Sequence, residues 1–476
     1  MTLTNALTST CLRSLAIALV AWPVSYFLSA AWHASRGQTR RGLLVLLFIP
    51  FLFPELWVGY AYANFWLSLI HHPVWNELVF DLLLLMKLIP VGTVVFHFSP
   101  PPPLSAQALH CRRLAIFPDA GWRTKLAAYF GGLLRGPLRA AFPALALVFL
   151  LAFQEYDLAS LMGIKTWSVW LFDAQAGSRD ATLALHHIAW PLACEAVVLL
   201  PAMIVTWANS GWSTSSPEAT RPLSGIGQAL LWGYPVLAVT LTTVVPMAIT
   251  GRGLWTGFQQ LLRNQSMLDS LLSNIASGFV VAALAAGAAI GLAVGILRQS
   301  RRQIAWLGLL PGGLGSLVVG LMVLVLFQRT PLHVVYDTPL PLVVALSAWL
   351  LPRAVLLQLL WIGIRKSEST HLAGLLQRSP TRIVKARASD LLWHVSSRPT
   401  WFCWMALSYW AYLDLTSAAI LAPTGMASAT VRLYDLMHAG LKTLLSAATC
   451  LTLLLPAVAL WLCVSLRRQV VRWFAV

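Results

Sequence analysis

Charged side chains are rare in this sequence, and Glu55, Lys87, Glu155, Asp157, Glu195, Arg353 and Asp414 stand out by their position within long apolar stretches. An ion in apolar surroundings is costly, so such groups point to a bound solute, a proton path or an internal partner. Glu155, Asp157 and Asp414 stand near one end of their stretches, where a solute would be received. Asp173 and Asp435 follow them in the chain, and these five acids are the candidate pathway residues. Packing against an Arg, or snorkelling to the interface, is the competing role for the first three. Helix capping is the competing role for Asp173 and Asp435.

Other chemistries find little footing. The 11 histidines show adjacent spacing only at His71-His72 and His186-His187. Neighbouring residues of a helix point in different directions, so no metal site is expected. The 6 cysteines are scattered without a C-x-x-C pair, which suggests neither a disulfide framework nor zinc. No G-x-x-x-x-G-K-[ST] run is present, so the chain has no phosphate-binding loop of its own. No catalytic residue and no cofactor is expected.

The elements that must hold these acids are membrane helices. Hydrophobic residues make up 58% of the 476, charged residues 10%, and mean hydropathy is +0.73. A soluble domain carries roughly 25% charged residues, and a chain this apolar could not cover its surface in water. The hydropathy pattern predicts about eleven spans, near 11–33, 43–68, 78–98, 139–160, 184–207, 226–250, 273–297, 305–327, 339–363, 400–422 and 443–466. The N-terminal stretch is long enough to be a retained helix rather than a leader. The net charge of +17 comes from short basic runs between apolar segments, which suits membrane retention and not nucleic acid. With the N-terminus outside, inner loops hold about 22 Lys and Arg and outer segments about 7, which also places the C-terminus inside. The 22 tryptophans fit interfacial anchoring.

Two distant places read alike. Glu155-Tyr156-Asp157-Leu158-Ala159-Ser160-Leu161 is followed by Val169-Trp170-Leu171-Phe172-Asp173-Ala174-Gln175-Ala176-Gly177. Tyr412-Leu413-Asp414-Leu415-Thr416-Ser417-Ala418 is followed by Val431-Arg432-Leu433-Tyr434-Asp435-Leu436-Met437-His438-Ala439-Gly440. This pairing sets Asp157 opposite Asp414 and Asp173 opposite Asp435. The starts also match, with Asn5 and Asn274 each opening a span rich in small residues, then a basic turn. The expected architecture is an all-α membrane protein of two parallel five-helix repeats, 1–210 and 268–476. A linker, 211–267, carries one joining helix at 226–250. Five crossings end on the far side, so a second copy facing the same way needs that extra helix. Such halves place a solute path at their interface.

The run Leu413 to Gly440, with Asp414, Ala422-Pro423, Val431-Arg432-Leu433-Tyr434 and Leu436-Met437-His438, resembles the C-terminal half of fused permeases of binding-protein-dependent ABC importers. The iron(III) and thiamine type, with two permease domains in one chain, is most similar. Phe172-Asp173-Ala174-Gln175-Ala176-Gly177 resembles the corresponding place in their N-terminal half. The likeness covers nearly the whole chain in layout and a few dozen residues specifically. It implies a cytoplasmic coupling loop in each half that docks on an ATPase subunit, with the pattern Glu-Ala-Ala, three residues, Gly. Here Glu368 and Gly374 keep that spacing while both alanines are replaced, and Ser379, Pro380 and Arg382 continue the pattern. In the first half only Trp122 and Arg123 match.

The resemblance implies a permease subunit in a bacterial inner membrane, moving a small solute by alternating access. Its partners would be a dimer of ABC ATPase subunits, an extracytoplasmic solute-binding protein and the bilayer, with no nucleic acid. An ion-coupled secondary transporter and a permease-like scaffold share the same composition and remain alternatives. The repeat makes a topological prediction: reporter fusions ending after residue 157 and after residue 414 report the same side of the membrane. Opposite sides would dismantle the parallel repeat.

Overall fold

The computed structural model describes residues 2–34, 37–65, 72–98, 113, 121–135, 137–178, 187–208, 225–298, 313, 315–329, 331–364, 367–378, 380–381, 384–385, 387–388, 391, 393 and 398–475. Among these the chain is helical, with no strand. Six helices are long and apolar enough to cross a bilayer, and a bent pair makes a seventh crossing if counted as one. The protein is therefore a multi-pass helical membrane protein. Apolar side chains stand exposed along these helices, as Leu19, Leu284 and Leu454 do, which only lipid makes tolerable. Three further apolar helices are shorter over their described residues, at Ala189–Ala202, Gly315–Arg329 and Leu340–Val355. Among the described residues, six helices rather than the expected eleven meet the length and hydropathy needed for a crossing, and most of the first half of the expected 305–327 span lies outside those residues.

Two compact units are present, residues 1–171 with 189–246, and residues 172–188 with 247–476. In the first, α1 (Leu3–Ala34) packs against α4 (Pro73–Phe98) and α6 (Pro137–Phe153), and α4 and α6 touch each other. Between α1 and α4 run α2 (Gly37–Leu52) and α3 (Glu55–Phe65); α5 (Trp122–Arg135) precedes α6. Then come α7 (Asp157–Leu161), which packs on α3, α8 (Trp167–Ser178), α9 (Ala189–Ala208) against α6, and α10 (Gly225–Val239) against α2. After a π-helical turn at Thr240–Val244, α11 (Val245–Gly251) leads to the second unit.

That second unit contains α12 (Leu254–Arg263), α13 (Gln265–Arg298), α14 (Gly315–Arg329), α15 (Leu340–Ile364) and α16 (Ser367–Gln377). It ends with α17 (Arg398–Tyr412), α18 (Thr416–Leu421), α19 (Ala429–His438) and α20 (Lys442–Ala475). Here α13 packs against α15 and α17, α15 against α17, and α14 against α18. The face of α13 that meets them is made of alanines, Ala282, Ala285, Ala286, Ala289 and Ala293, each 0% exposed. Small residues let backbones approach where lipid offers no hydrophobic drive between helices. Side-chain donors then reach across: Ser347 Oγ donates to Ala285 O at 3.2 Å and Trp404 Nε1 to Ala283 O at 3.0 Å. In the first unit Ser25 Oγ donates to Ile89 O at 3.0 Å.

Two expected straight spans are broken. The 43–68 stretch bends by 73° between Val45–Leu52 and Glu55–Tyr62, because Pro54 at the junction has no N–H to continue the ladder. The 400–422 stretch is interrupted at 413–415, between α17 and α18. The π-helical turn has a similar origin. Pro246 cannot donate to the preceding turn, and Tyr62 Oη donates to the carbonyl of Leu241 instead, at 2.8 Å.

The tightest helix contact lies in the second unit, where α12 crosses the start of α20. A Cβ added at Gly257 would sit 2.0 Å from the carbonyl oxygen of Thr443, a backbone atom. Gly257→Ala is expected to destabilise the protein by about 1–3 kcal/mol through overpacking, read as a lowered thermal midpoint in detergent. Gly278→Ala, whose Cβ would make ordinary contacts with the Tyr412 ring at 3.6 Å and the Ala429 amide nitrogen at 3.9 Å, leaves that midpoint unchanged or raised.

Candidate functional site

The bend between α2 and α3 is where the first unit gathers its buried charge. Lys87, 2% exposed on α4, donates to the Phe53 carbonyl at 2.9 Å and pairs with Glu55 Oε1 at 3.0 Å. Phe53 stands just before Pro54, so Lys87 satisfies an acceptor that the broken helix leaves open. Glu155 feels the charges of both Glu55 and Lys87. Next to it, Gln154 Nε2 donates to Glu195 Oε1 at 3.2 Å, with Glu195 buried on α9. One lysine and three carboxylates from α3, α4, α9 and the α6–α7 junction thus lie along a polar seam inside one unit. An array of this kind can pass a proton.

In the second unit the intramembrane cation is Arg353, on α15. It is satisfied by aromatic faces: its guanidinium carbon lies 4.1 Å from the Trp349 ring centroid and 4.7 Å from that of Trp410. Its Nη1 also donates to the Trp349 carbonyl at 2.7 Å. This is a cation–π clamp.

The acids of the repeated stretch form one motif twice. Glu155 Oε1 accepts from the Leu158 amide at 2.9 Å, and its backbone carbonyl accepts from Ser168 Oγ at 2.9 Å. Ser168 is hydrogen-bonded to Thr166 Oγ1, which accepts from the Val169 amide at 3.3 Å. In the second unit Asp414 Oδ2 accepts from the Ser417 amide at 2.9 Å, and its carbonyl accepts from Thr430 Oγ1 at 3.4 Å. Thr430 is hydrogen-bonded to Ser428 Oγ, the N-cap of α19, which accepts from the Val431 amide at 3.2 Å. Each acid therefore holds the amide three residues on, at a short helix, and each carbonyl is tied to a hydroxyl pair that starts the next helix.

In its hydrogen bonds Asp414 matches Glu155 rather than Asp157, the acid that the sequence sets opposite it. Asp157 occupies the first turn of α7, where a negative charge suits the helix dipole. The hydroxyl pairs were missed by the sequence reading. Their signal was legible as Thr166-Trp167-Ser168-Val169 against Ser428-Ala429-Thr430-Val431.

Asp173 and Asp435 are exposed and lie within α8 and α19, not in turns, and the hydroxyls at 166 and 428 take the capping positions that sequence had offered to them. Within the second unit both act on Tyr434, whose hydroxyl is pushed above its ordinary value by burial and then by the charges of Asp173 and Asp435. The Tyr434 ring also meets His438 edge-on, centroids 4.3 Å apart.

The residues matched to a coupling loop fall on α16 and α5. Glu368 is in the first turn of α16 and Gly374 further along it, with open space where a Cβ would go. Its close packing within the chain comes from Ala373, 0% exposed, while Leu372 and Leu375 are exposed. Pro380 is exposed in a bend; Ser379 and Arg382 lie outside the described residues. Trp122 opens α5 at 70% exposure, with the Arg123 guanidinium 5.5 Å from its ring. Among the described residues no group of three or more His, Cys, Asp and Glu could hold a metal ion.

No protein-family model, curated protein or solved structure matches the chain.

Two measurements probe these contacts. Lys87→Met strands Glu55 and the Phe53 carbonyl, at an expected cost of about 3 kcal/mol, while adding Glu55→Gln recovers part of it in a double-mutant cycle. Glu155→Ala and Asp414→Ala each remove a helix cap and are expected to cost about 1 kcal/mol; equal thermal shifts would follow from their equivalent roles.

Proposed function

We propose that the protein is the transmembrane permease subunit of an ABC importer, moving a small solute of the iron(III) or thiamine class by alternating access. The observation that carries this reading is the doubled junction at Glu155 and Asp414. Two units far apart in sequence build the same acid–hydroxyl knot in the same chain order, as duplicated permease halves would. The packing order adds weight, since α1, α4 and α6 in one unit and α13, α15 and α17 in the other associate alike. In this reading the chain is two five-span repeats with a joining helix. It sits in a bacterial inner membrane with its N-terminus outside and C-terminus inside.

The chain itself hydrolyses nothing; a separate ATPase dimer supplies the energy and an extracytoplasmic binding protein delivers the solute. The exposed Leu372 and Leu375 on α16, beside Glu368 and Gly374, give the ATPase an apolar ridge to grip. Trp122 and Arg123 at the start of α5 serve the first half. Glu155, Asp157 and Asp414 belong to the pathway, with Asp173 and Asp435 near its mouth.

The buried Lys87–Glu55 pair beside Glu155 favours a second reading, an ion-coupled secondary transporter. Uptake decides between them. An importer takes up solute only with its ATPase and binding protein, whereas an ion-coupled transporter works alone in proteoliposomes under an ion gradient. Deleting residues 366–382 is expected to abolish copurification of the ATPase while the chain still inserts in the membrane. Undiminished copurification would remove α16 from the coupling role.

A further inference from the structure

The one strongly amphipathic helix among the described elements is α12, and its apolar stripe is only partly covered by protein. At 100° per residue, Leu254, Trp255, Phe258, Leu261 and Leu262 fall on one side, and Thr256, Gln259, Gln260 and Arg263 on the other. One edge of the apolar side, Gly257 and Leu261, is buried. Gly257 seats this edge against Thr443 and Ala447 of α20, and Thr443 Oγ1 donates to Gln260 Oε1 at 2.9 Å. The other edge is open, with Trp255 74% and Leu262 66% exposed one above the other at i and i+7.

The chain on either side shows what covers that edge. α12 is joined through Arg252-Gly253 to one span, Leu231–Gly251, and through Asn264 alone to the next, Gln265–Leu297. Asn264 ends one helix and starts the other. Its amide donates to the Gln260 carbonyl at 3.1 Å, and its Oδ1 accepts from the Met267 amide at 3.3 Å. With connections this short, α12 is held at the adjoining ends of the two long apolar helices. Its exposed Trp and Leu are side chains suited to the boundary between headgroups and acyl chains. Arg252 and Arg263, both exposed at its ends, can reach lipid phosphates.

We propose that α12 is an interfacial lipid anchor, lying in the bilayer surface with Leu254, Phe258, Leu262 and Trp255 in the acyl boundary and Gln259 in water. It would brace the end of α20 from the membrane plane, through the Gly257 contact. The proposal needs only that the flanking helices span the bilayer, and it stands whether or not the chain is an importer.

The test uses the full chain in phosphatidylcholine–phosphatidylglycerol vesicles. With the six native cysteines replaced by serine, Trp255→Cys and Gln259→Cys are each labelled with a nitroxide. Collision with oxygen should exceed collision with a water-soluble nickel chelate several-fold at 255, with the reverse order at 259. Equal nickel access at the two positions would overturn the proposal, as would a label at 255 shielded from both reagents, the mark of a protein partner or second copy on this face. If the serine-substituted chain does not fold, the wild-type chain is photolysed in vesicles containing a diazirine phospholipid. Adducts on residues 254–262 support the anchor; adducts on the flanking spans with none on this helix refute it.

Discussion

Inside a bilayer every backbone carbonyl needs a donor from the protein itself, and the architecture of this chain follows from where its helices fail to supply one. Continuous helices meet the requirement along their length. The breaks do not: the α2–α3 bend, the α6–α7 junction, the π-helical turn before α11 and the α17–α18 junction all interrupt the ladder. A side chain from another element attends each of them. Lys87 reaches Phe53, Ser168 reaches Glu155, Tyr62 reaches Leu241 and Thr430 reaches Asp414. Polar residues that would be anomalous in an apolar core are here the fastenings of bent helices.

Those fastenings are also where chemistry becomes available. A lysine placed to satisfy a bend brings a charge into the interior, and Glu55 and Glu155 come with it. In the second unit the guanidinium of Arg353 lies against two tryptophans. The two units therefore differ in the polarity of their interiors even where their helices pack alike.

The acid–hydroxyl junction occurs in both units. It converts the end of one helix into the start of another with few unsatisfied groups, and it does so twice. A carboxylate that holds such an amide is fixed in place; at Asp414 one oxygen engages the Ser417 amide and the other accepts from Thr416 Oγ1.

The amino-acid sequence by itself determined the solvent and the class of fold, because 58% hydrophobic residues with 10% charged ones leave no folded state in water. It also determined helix positions and the likeness between the 155–177 and 412–440 stretches, since apolar runs and Asp spacing are local properties. Tertiary structure decided which acid answers which: Asp157 resembles Asp414 in the letters around it, yet Glu155 makes its hydrogen bonds. Similarity of letters reports neighbours along the chain, whereas a cap is defined by which amide lies within reach. The partners of Lys87 and Arg353, the 73° bend and the open face of α12 were likewise settled only by helices meeting in space, since one helix cannot encode what another brings to it.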